Sequence, residues 1–326
     1  LTLRLAEETS KFIKENKDST FFAFLSFYAV HAPIQTTETK WKKYRDKAGS
    51  LGIAESGYSM ERILPIRQVQ DNPIYGGLVE TMDDAVGIVL KALKENGLDK
   101  NTIVVFTSDN GGVASGDHYA TSNLPLRGGK GYQWEGGIRV PFLIKVPWLE
   151  NQGTENDFPV IHTDFYPTFL DVAGIPLNPE EHIDGISLKP ILEGENVNIN
   201  RPLYWHYPHY GNQGGEPTSI IQQNDWKLIH YWEDDHQELY KLPSTEKDEL
   251  NVIERHPKIA KKLNNQLIAW LDKVDAKYPK KDSLYDANKR KFRLQIIRAN
   301  KLKSLEESRI KVLSKDFKPN ENWWKS

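Results

Sequence analysis

The residues that could do chemistry cluster in four short stretches. SDNGG (108–112) places the Asp109 carboxylate and the Asn110 amide oxygen side by side, directly after the apolar run TIVVF (102–106). Two adjacent oxygen donors of this kind suit a hard cation such as Ca²⁺ or Mg²⁺. Gly111 and Gly112 let the backbone turn sharply and approach a ligand or a second chain segment closely. The same four residues after a strand are also the ordinary composition of a turn, so the metal reading needs company. His31 follows the apolar run FFAFLSFY (21–28), and Lys130 sits among glycines in RGGKGYQWEGG (127–137). A lysine among glycines suits an anion, although the phosphate-cradling G-x-x-x-x-G-K-[ST] is absent. Finally, YWHYPHY (204–210) carries His206 and His209 between Trp205, Tyr207 and Tyr210. Aromatics in a short run of this kind usually pack as a strand, although their ring faces could also stack on a ligand.

Something must hold these stretches together. FFAFLSFY, TIVVF and IRVPFLIKV (138–146) read as buried strands, with Pro141 arguing for an edge or a bulge in the third. Between the first two, residues 73–96 show a helical spacing of Leu78, Met82, Ala85, Val86, Val89 and Leu93, opened by Pro73 and closed by Gly97. Strand, helix, strand at this spacing predicts a crossover unit of an α/β sheet, whose ligands bind beyond the strand ends. A helix over 163–173 stops at Gly174. After it the texture changes: RPLYWHY, TSIIQQ, WKLIHYW and QELYKL read as a small antiparallel sheet, followed by a helix over 257–275. We place the boundaries at 1–197 for an α/β unit, 198–285 for the small sheet-plus-helix unit and 286–326 for a basic helical tail ending in Trp323-Trp324.

Composition excludes some functions. The net charge of −2 over 326 residues gives no ground for a nucleic-acid-binding protein, and no apolar run is long enough to span a bilayer. With no cysteine, neither disulfides nor thiolate metal sites are available in this stretch. The chain opens LTLRLAEETSKF, already inside a helical pattern in which Leu5, Phe12 and Ile13 share a face.

Order and context of the motifs resemble one family. FLSFYAVHAPIQ, VVFTSDNGG, TSNLPLRGGKGYQWEGGIRVPFLIK, HTDFYPTFLDVAGI, HIDGISLKPIL and NDWKLI resemble the type I sulfatases of the alkaline-phosphatase superfamily. FYAVHAPIQ, YWHYPHY and KDSLYDANK are most similar to the polysaccharide sulfatases of Bacteroidetes. The resemblance implies part of an alkaline-phosphatase-like mixed sheet flanked by helices, with a small C-terminal domain of antiparallel sheet and helix. It implies hydrolysis of sulfate esters on a sulfated polysaccharide or oligosaccharide, in the periplasm or outside the cell. Asp109 and Asn110 would be Ca²⁺ ligands, His31 and Lys130 would contact the sulfate, and His206 and His209 would face the substrate pocket, where Trp205, Tyr207 and Tyr210 could stack on sugar rings. A cation, a lysine and a histidine around a sulfate ester would stabilise the negative charge that grows on its oxygens as the S–O bond breaks.

The family's nucleophile is a formylglycine made from Cys or Ser in a C/S-x-P-x-R motif. The nearest approach here, Asn123-Leu124-Pro125-Leu126-Arg127, has Asn where the nucleophile belongs. The resemblance therefore implies that the nucleophile and two further aspartate ligands lie upstream of Leu1, and that this stretch alone does not turn over substrate. Arg127 and Glu135 read as loop-shaping ion pairs, His162 as a capping or packing residue, and His118 has no motif behind it. Two other readings stay open: a phosphoesterase or phosphonate hydrolase of the same superfamily, and a non-catalytic carbohydrate-binding or partner-binding protein. The oligomeric state is left open.

Overall fold

The computed structural model describes residues 1–150, 153–197, 200–244, 246 and 250–317; Trp323 and Trp324 lie outside the described residues. The N-terminal part is built on three helices, α1 (Thr2–Glu15), α2 (Glu38–Leu51) and α3 (Pro73–Glu95). Asn72 opens α3 by accepting the Ile74 and Tyr75 amides, with Pro73 in the first turn where a missing N–H costs nothing. Ile13 of α1 buries against Ala92 and Leu93 of α3, together with Phe21 and Val104. Gly77 lets α2 and its approach come close, since a Cβ there would lie 2.4 Å from Thr36 Oγ1.

A short hairpin, β1 (Tyr58–Met60) and β2 (Pro65–Arg67), precedes α3. After α3, β3 (Val104–Thr107) is followed by a single helical turn, α4 (Glu135–Ile138), and by β4 (Phe142–Lys145). The two strands pair antiparallel, from Val104 opposite Lys145 to Thr107 opposite Phe142. A turn at His162–Asp164 leads into α5 (Phe165–Val172), and Lys189–Leu192 forms the short α6.

The crossover expected from the sequence is not formed. FFAFLSFY (21–28) has no secondary structure, and among the described residues no strand lies against it. A strand exists only through ladder bonds to a neighbour, however apolar its sequence. Phe21 packs on Phe12 and Phe22 on Phe169, yet Phe22, Phe24 and Tyr28 remain 72%, 83% and 71% exposed. The architecture is a mixed α/β one whose sheets are small and antiparallel among the described residues.

The C-terminal sheet is a meander of β5 (Leu203–Tyr207), β6 (Thr218–Gln223), β7 (Trp226–Tyr231) and β8 (Gln237–Lys241), in that order. Alternation along its strands separates two buried faces. Ile221, Leu228 and Leu239 meet Ala260, Leu263, Leu267 and Leu271 of α7 (Pro257–Lys273). On the opposite face, Ile220, Ile229, Tyr231 and Tyr240 meet Tyr132 and Trp134 of the glycine-rich loop, with Ile66 and Ala114. The sheet therefore carries a helix on one side and the Lys130 loop on the other.

The last helix, α8 (Ala287–Leu313), returns to the N-terminal part. Arg309 is buried there, with Nε 2.8 Å from Asp71 and a second donor 2.9 Å from the Ala54 carbonyl. Glu306 accepts the Gly57 and Tyr58 amides. Burial alone would raise the Glu306 carboxyl, but the Gly57 amide and Arg309 outweigh it and hold its pKa below the ordinary 4.5. Its contribution to docking α8 is thus fully present above pH 4.5 and is lost as pH falls through the lowered value. Glu306→Gln at neutral pH should reproduce the effect of acid: hydrogen exchange of the α8 amides should accelerate, with α7 unchanged. In the core, Leu267 is fully buried, and Leu267→Ala should cost about 2–5 kcal/mol in urea unfolding.

Candidate functional site

The strand β3 delivers SDNGG to the surface, and the turn is held from beneath by glycine contacts. The Gly111 amide donates to the Gly137 carbonyl at 3.0 Å, and a Cβ on Gly111 would fall 1.8 Å from the Gly136 carbonyl oxygen. Nothing larger than glycine fits. Gly112 bonds the lysine loop directly, its carbonyl accepting the Lys130 amide at 3.0 Å. Asn123 fastens the same place, accepting the Gly112 amide at 3.0 Å and donating to the Gly112 and Gly128 carbonyls at 2.9 and 3.0 Å. The residue that stands where a nucleophile would be in the near-match motif is therefore a clamp between the Asp-Asn turn and the lysine loop.

Asp109 is exposed, has only Ser108 Oγ at 3.5 Å as a side-chain partner, and forms no ion pair among the described residues. The Asn110 carbonyl accepts Ser108 Oγ at 3.1 Å, while its side-chain amide makes no hydrogen bond among the described residues. Both side-chain oxygens are thus free to serve a hard cation, and their chemistry fits one. They are two donors where calcium takes six to eight oxygens, and no group of three or more His, Cys, Asp or Glu side chains able to hold a metal occurs among the described residues. His162, which sequence reasoning set aside, lies at this turn: its Nε2 is 2.8 Å from the Ser108 carbonyl oxygen. Its only sequence signal was its place just before the TDFYPT helix.

Lys130 is half-buried and its ammonium forms no ion pair among the described residues. His31 is exposed, its Nδ1 3.2 Å from the Ala32 carbonyl, and no hydrogen bond among the described residues joins it to Asp109, Asn110 or Lys130. The structure brings the backbones of the Asp-Asn turn and the lysine loop together.

What fixes the lysine loop is a buried polar belt that the sequence reading recognised only at Arg127 and Glu135. Arg127 pairs with Glu61 at 2.6 and 3.0 Å, donates to the Glu246 carbonyl at 2.7 Å and lies 3.6 Å over the Trp134 ring. Trp134 Nε1 donates to Glu238 at 3.2 Å, as does the Tyr231 hydroxyl at 2.8 Å. At the centre, Lys227 of β7 is wholly buried between Glu135 at 2.9 Å and Glu246 at 2.8 Å. Burial works against the Lys227 ammonium, but Glu246 and Glu135 outweigh it and keep its pKa above the ordinary 10.5. Lys227 was missed because it sits inside WKLIHYW, where a lysine in a strand reads as solvent-facing.

The aromatic segment divides. His206 has Nδ1 2.6 Å from Ser219 Oγ and Nε2 3.0 Å from the Lys277 carbonyl. Both ring nitrogens of His206 are thus engaged within the sheet unit. Trp205 packs against the core beside Trp134. His209 is exposed and touches the Tyr207 ring edge-on. Just beyond it, Asn212 and Gln213 bond Asp117 at 2.9 and 3.1 Å, and a Cβ on Gly215 would strike the Gly131 carbonyl oxygen. The segment that follows His209 thus borders the loop that carries Lys130. His118 is exposed beside Asp117.

Residues 1–175 match the profile of the family described as Sulfatase. The chain is a member of the type I sulfatase family. Residues 129–277 match a second profile, N-sulphoglucosamine sulphohydrolase, C-terminal. The sulfatase chain is similar to a sulfatase of Formosa agariphila, with 33% identity over 87% of this chain and 54% of that protein. Human steryl-sulfatase shows 32% identity over 64% of this chain and 32% of its own length. The chain therefore spans about half, or less, of the curated relatives it matches. Among solved structures, Ps i-CgsB superposes with a TM-score of 0.67 and 26% identity, covering 82% of this chain and 54% of its own. That protein was also solved with k-i-k-neocarrahexaose, and BT4656, with TM-score 0.50 and 27% identity over 62% of this chain and 41% of its own, with D-glucosamine-2-N,6-O-disulfate.

Removing the buried ammonium would leave Glu135 and Glu246 facing each other inside the sulfatase core. Lys227→Ala should cost about 3–5 kcal/mol in denaturant unfolding and loosen residues 127–137 to proteolysis. The Lys227 contribution is complete below pH 10.5 and should be lost as pH rises through the raised value.

Proposed function

We propose that the protein hydrolyses sulfate esters of a sulfated polysaccharide or its oligosaccharides, with this chain supplying Asp109, Asn110, Lys130, His31 and His209 to the site. The observation that supports the reading is the bond from the Lys130 amide to the Gly112 carbonyl, 3.0 Å, which fastens the backbone of the lysine loop two residues from the Asp-Asn pair. Asp109 and Asn110 would hold a Ca²⁺ ion, which when bound supplies Lewis-acid stabilisation to a sulfate oxygen. Lys130 offers three N–H donors and a positive charge to the oxygens that become more negative as the S–O bond breaks. The glycine interlock preorganises that arrangement, because neither turn can shift without the other. His31 is assigned to the sulfate by family resemblance.

The C/S-x-P-x-R motif from which the family makes its formylglycine nucleophile does not occur between residues 1 and 326. His209, exposed just before the segment that meets the lysine loop, is assigned to a sugar hydroxyl or a second sulfate, with Tyr207 and Tyr210 offering ring faces. The ligands solved with Ps i-CgsB and BT4656 support a carbohydrate substrate. We place the activity in the periplasm or outside the cell, on the resemblance alone; among the described residues no helix is long and apolar enough to cross a membrane.

Assayed in the formylglycine-bearing protein, Asp109→Ala should abolish sulfate release from a small aryl sulfate and a sulfated oligosaccharide alike. His209→Ala should lower kcat/KM for the oligosaccharide roughly ten- to a hundred-fold, equivalent to about 1.5–3 kcal/mol, and leave the aryl sulfate nearly untouched. Equal loss on both substrates would move His209 into the catalytic centre or the fold. Full activity in Asp109→Ala would reject the proposed metal turn.

A further inference from the structure

Helix α8 has a charge that neither the fold nor the candidate site uses. It carries nine Lys or Arg against two Glu, a net +7 in a chain whose total is −2. Some of this charge is structural. Arg309 is buried on Asp71 and Glu306, and Arg290 pairs with Glu233. The rest faces water: Lys291, Arg293, Arg298, Lys301 and Lys303 are exposed and form no ion pair among the described residues. Like charges gathered on one helix repel one another, so unpaired accumulation on this scale disfavours the helix unless an anion is present.

The position of this charge gives it a direction. Arg290, Leu294, Arg298 and Lys301 recur at helical spacing on one face, and Arg290, Lys291, Leu294 and Arg298 line a trough of about 300 Å³ with Tyr285. At one end of that face the Arg290 guanidinium lies 5.7 Å over the Tyr210 ring, next to His209. Further along, Lys301 Nζ lies 5.6 Å over Tyr119, in the loop whose Asp117 binds Asn212 and Gln213. The basic face therefore runs from the border of the Lys130 loop outward along the helix, with Tyr285 and Tyr210 offering rings beside the cations.

We propose that the basic face of α8 is a binding track for the sulfated polysaccharide chain, away from the bond being hydrolysed. Cations spaced along a rod with aromatic rings at the same edge fit a polymer that alternates sulfates with sugar faces. A membrane surface is the less suitable partner, because the cations follow a single helix with rings of Tyr210 and Tyr119 beside Arg290 and Lys301, rather than spreading over a broad plane. The inference rests on the proposed function only for the identity of the polymer; binding itself needs no turnover.

The test titrates the whole chain with carrageenan oligosaccharides, their desulfated counterparts, a DNA duplex and vesicles rich in acidic phospholipid, at several salt concentrations. The variant is Lys291→Gln, Arg298→Gln and Lys301→Gln combined; all three are exposed, so circular dichroism and melting should match the parent. Sulfated oligosaccharide should bind in preference to the other three probes. The triple variant should weaken that binding roughly tenfold or more and flatten its dependence on log salt by about two. Asp109→Ala should leave it intact. Unchanged affinity in the triple variant, or equal or tighter binding of desulfated sugar, DNA or vesicles, would overturn the track. Binding through α8 without sulfate release in any form of the protein would leave the track standing and count against the hydrolytic reading alone.

Discussion

A buried ammonium cannot stay charged inside a protein without carboxylates around it, and Lys227 imposes that condition on the whole site. It is wholly enclosed, so Glu135 and Glu246 must come to it. Glu135 belongs to the glycine-rich loop, which ties the loop to β7 of the C-terminal sheet. The next residues, Gly136 and Gly137, take the weight of SDNGG, because the Gly111 amide bonds the Gly137 carbonyl. A direct line runs from strand register through one ion triad to the exposed carboxylate of Asp109. Such a triad is not an efficient source of stability compared with apolar packing, but it is directional, and direction is what the loop needs.

Beside that triad a second buried carboxylate gathers several donors. Glu238 collects the Trp134 indole, the Tyr231 hydroxyl and the Tyr240 hydroxyl, and Arg62 supplies its counter-charge at 3.3 Å. Burial first, and then the Glu238 charge, raises the Tyr231 pKa well above its ordinary value, so the phenol stays a neutral donor. The sheet therefore presents an apolar face to α7 and a mixed face to the loop. This division follows from strand alternation: Leu228 points one way, and Lys227 and Ile229 the other.

Much of this was legible in the residues. Periodicity located α3 and α7, the flanking turn residues located β6, and the motif loops were recognisable before their contact was seen. Where reading failed, the cause was pairing. FFAFLSFY has the composition of a buried strand, but composition reports burial and not the presence of a neighbour. The β1–β2 hairpin escaped because three-residue strands offer too few alternations to register. Lys227 itself, and the internal bonds of His206, escaped for a shared reason: each lies in a strand where a polar residue is assumed to face water. Their partners Glu246, Ser219 and Lys277 are distant enough in sequence to give no local signal. Asn123 was visible as a near-match to a nucleophile motif, and only its hydrogen bonds showed a different office.

Net charge was the least informative number in the sequence. A total of −2 hides a helix of +7 set against −9 in the remainder, and the balance is spatial. The acids that meet α8 lie at its two ends, Glu233 near its start and Asp71 near its finish. Tied at both ends, the helix is held as a strut from the N-terminal helices to the loops around Tyr210. Its central cations have no such partners among the described residues. Two anchored ends and an unneutralised middle differ from a generally solvated charged helix, in which opposite charges alternate along the surface at i,i+4 spacing. In α8 the acidic half of that pattern is confined to Glu306 and Glu307, and Glu306 is already spent on Gly57 and Arg309. The counter-ions for the middle must come from solution or from a ligand. A polyanion held there releases several small ions for one bound chain, so its affinity would fall steeply with salt while the anchors, being partly buried, would not.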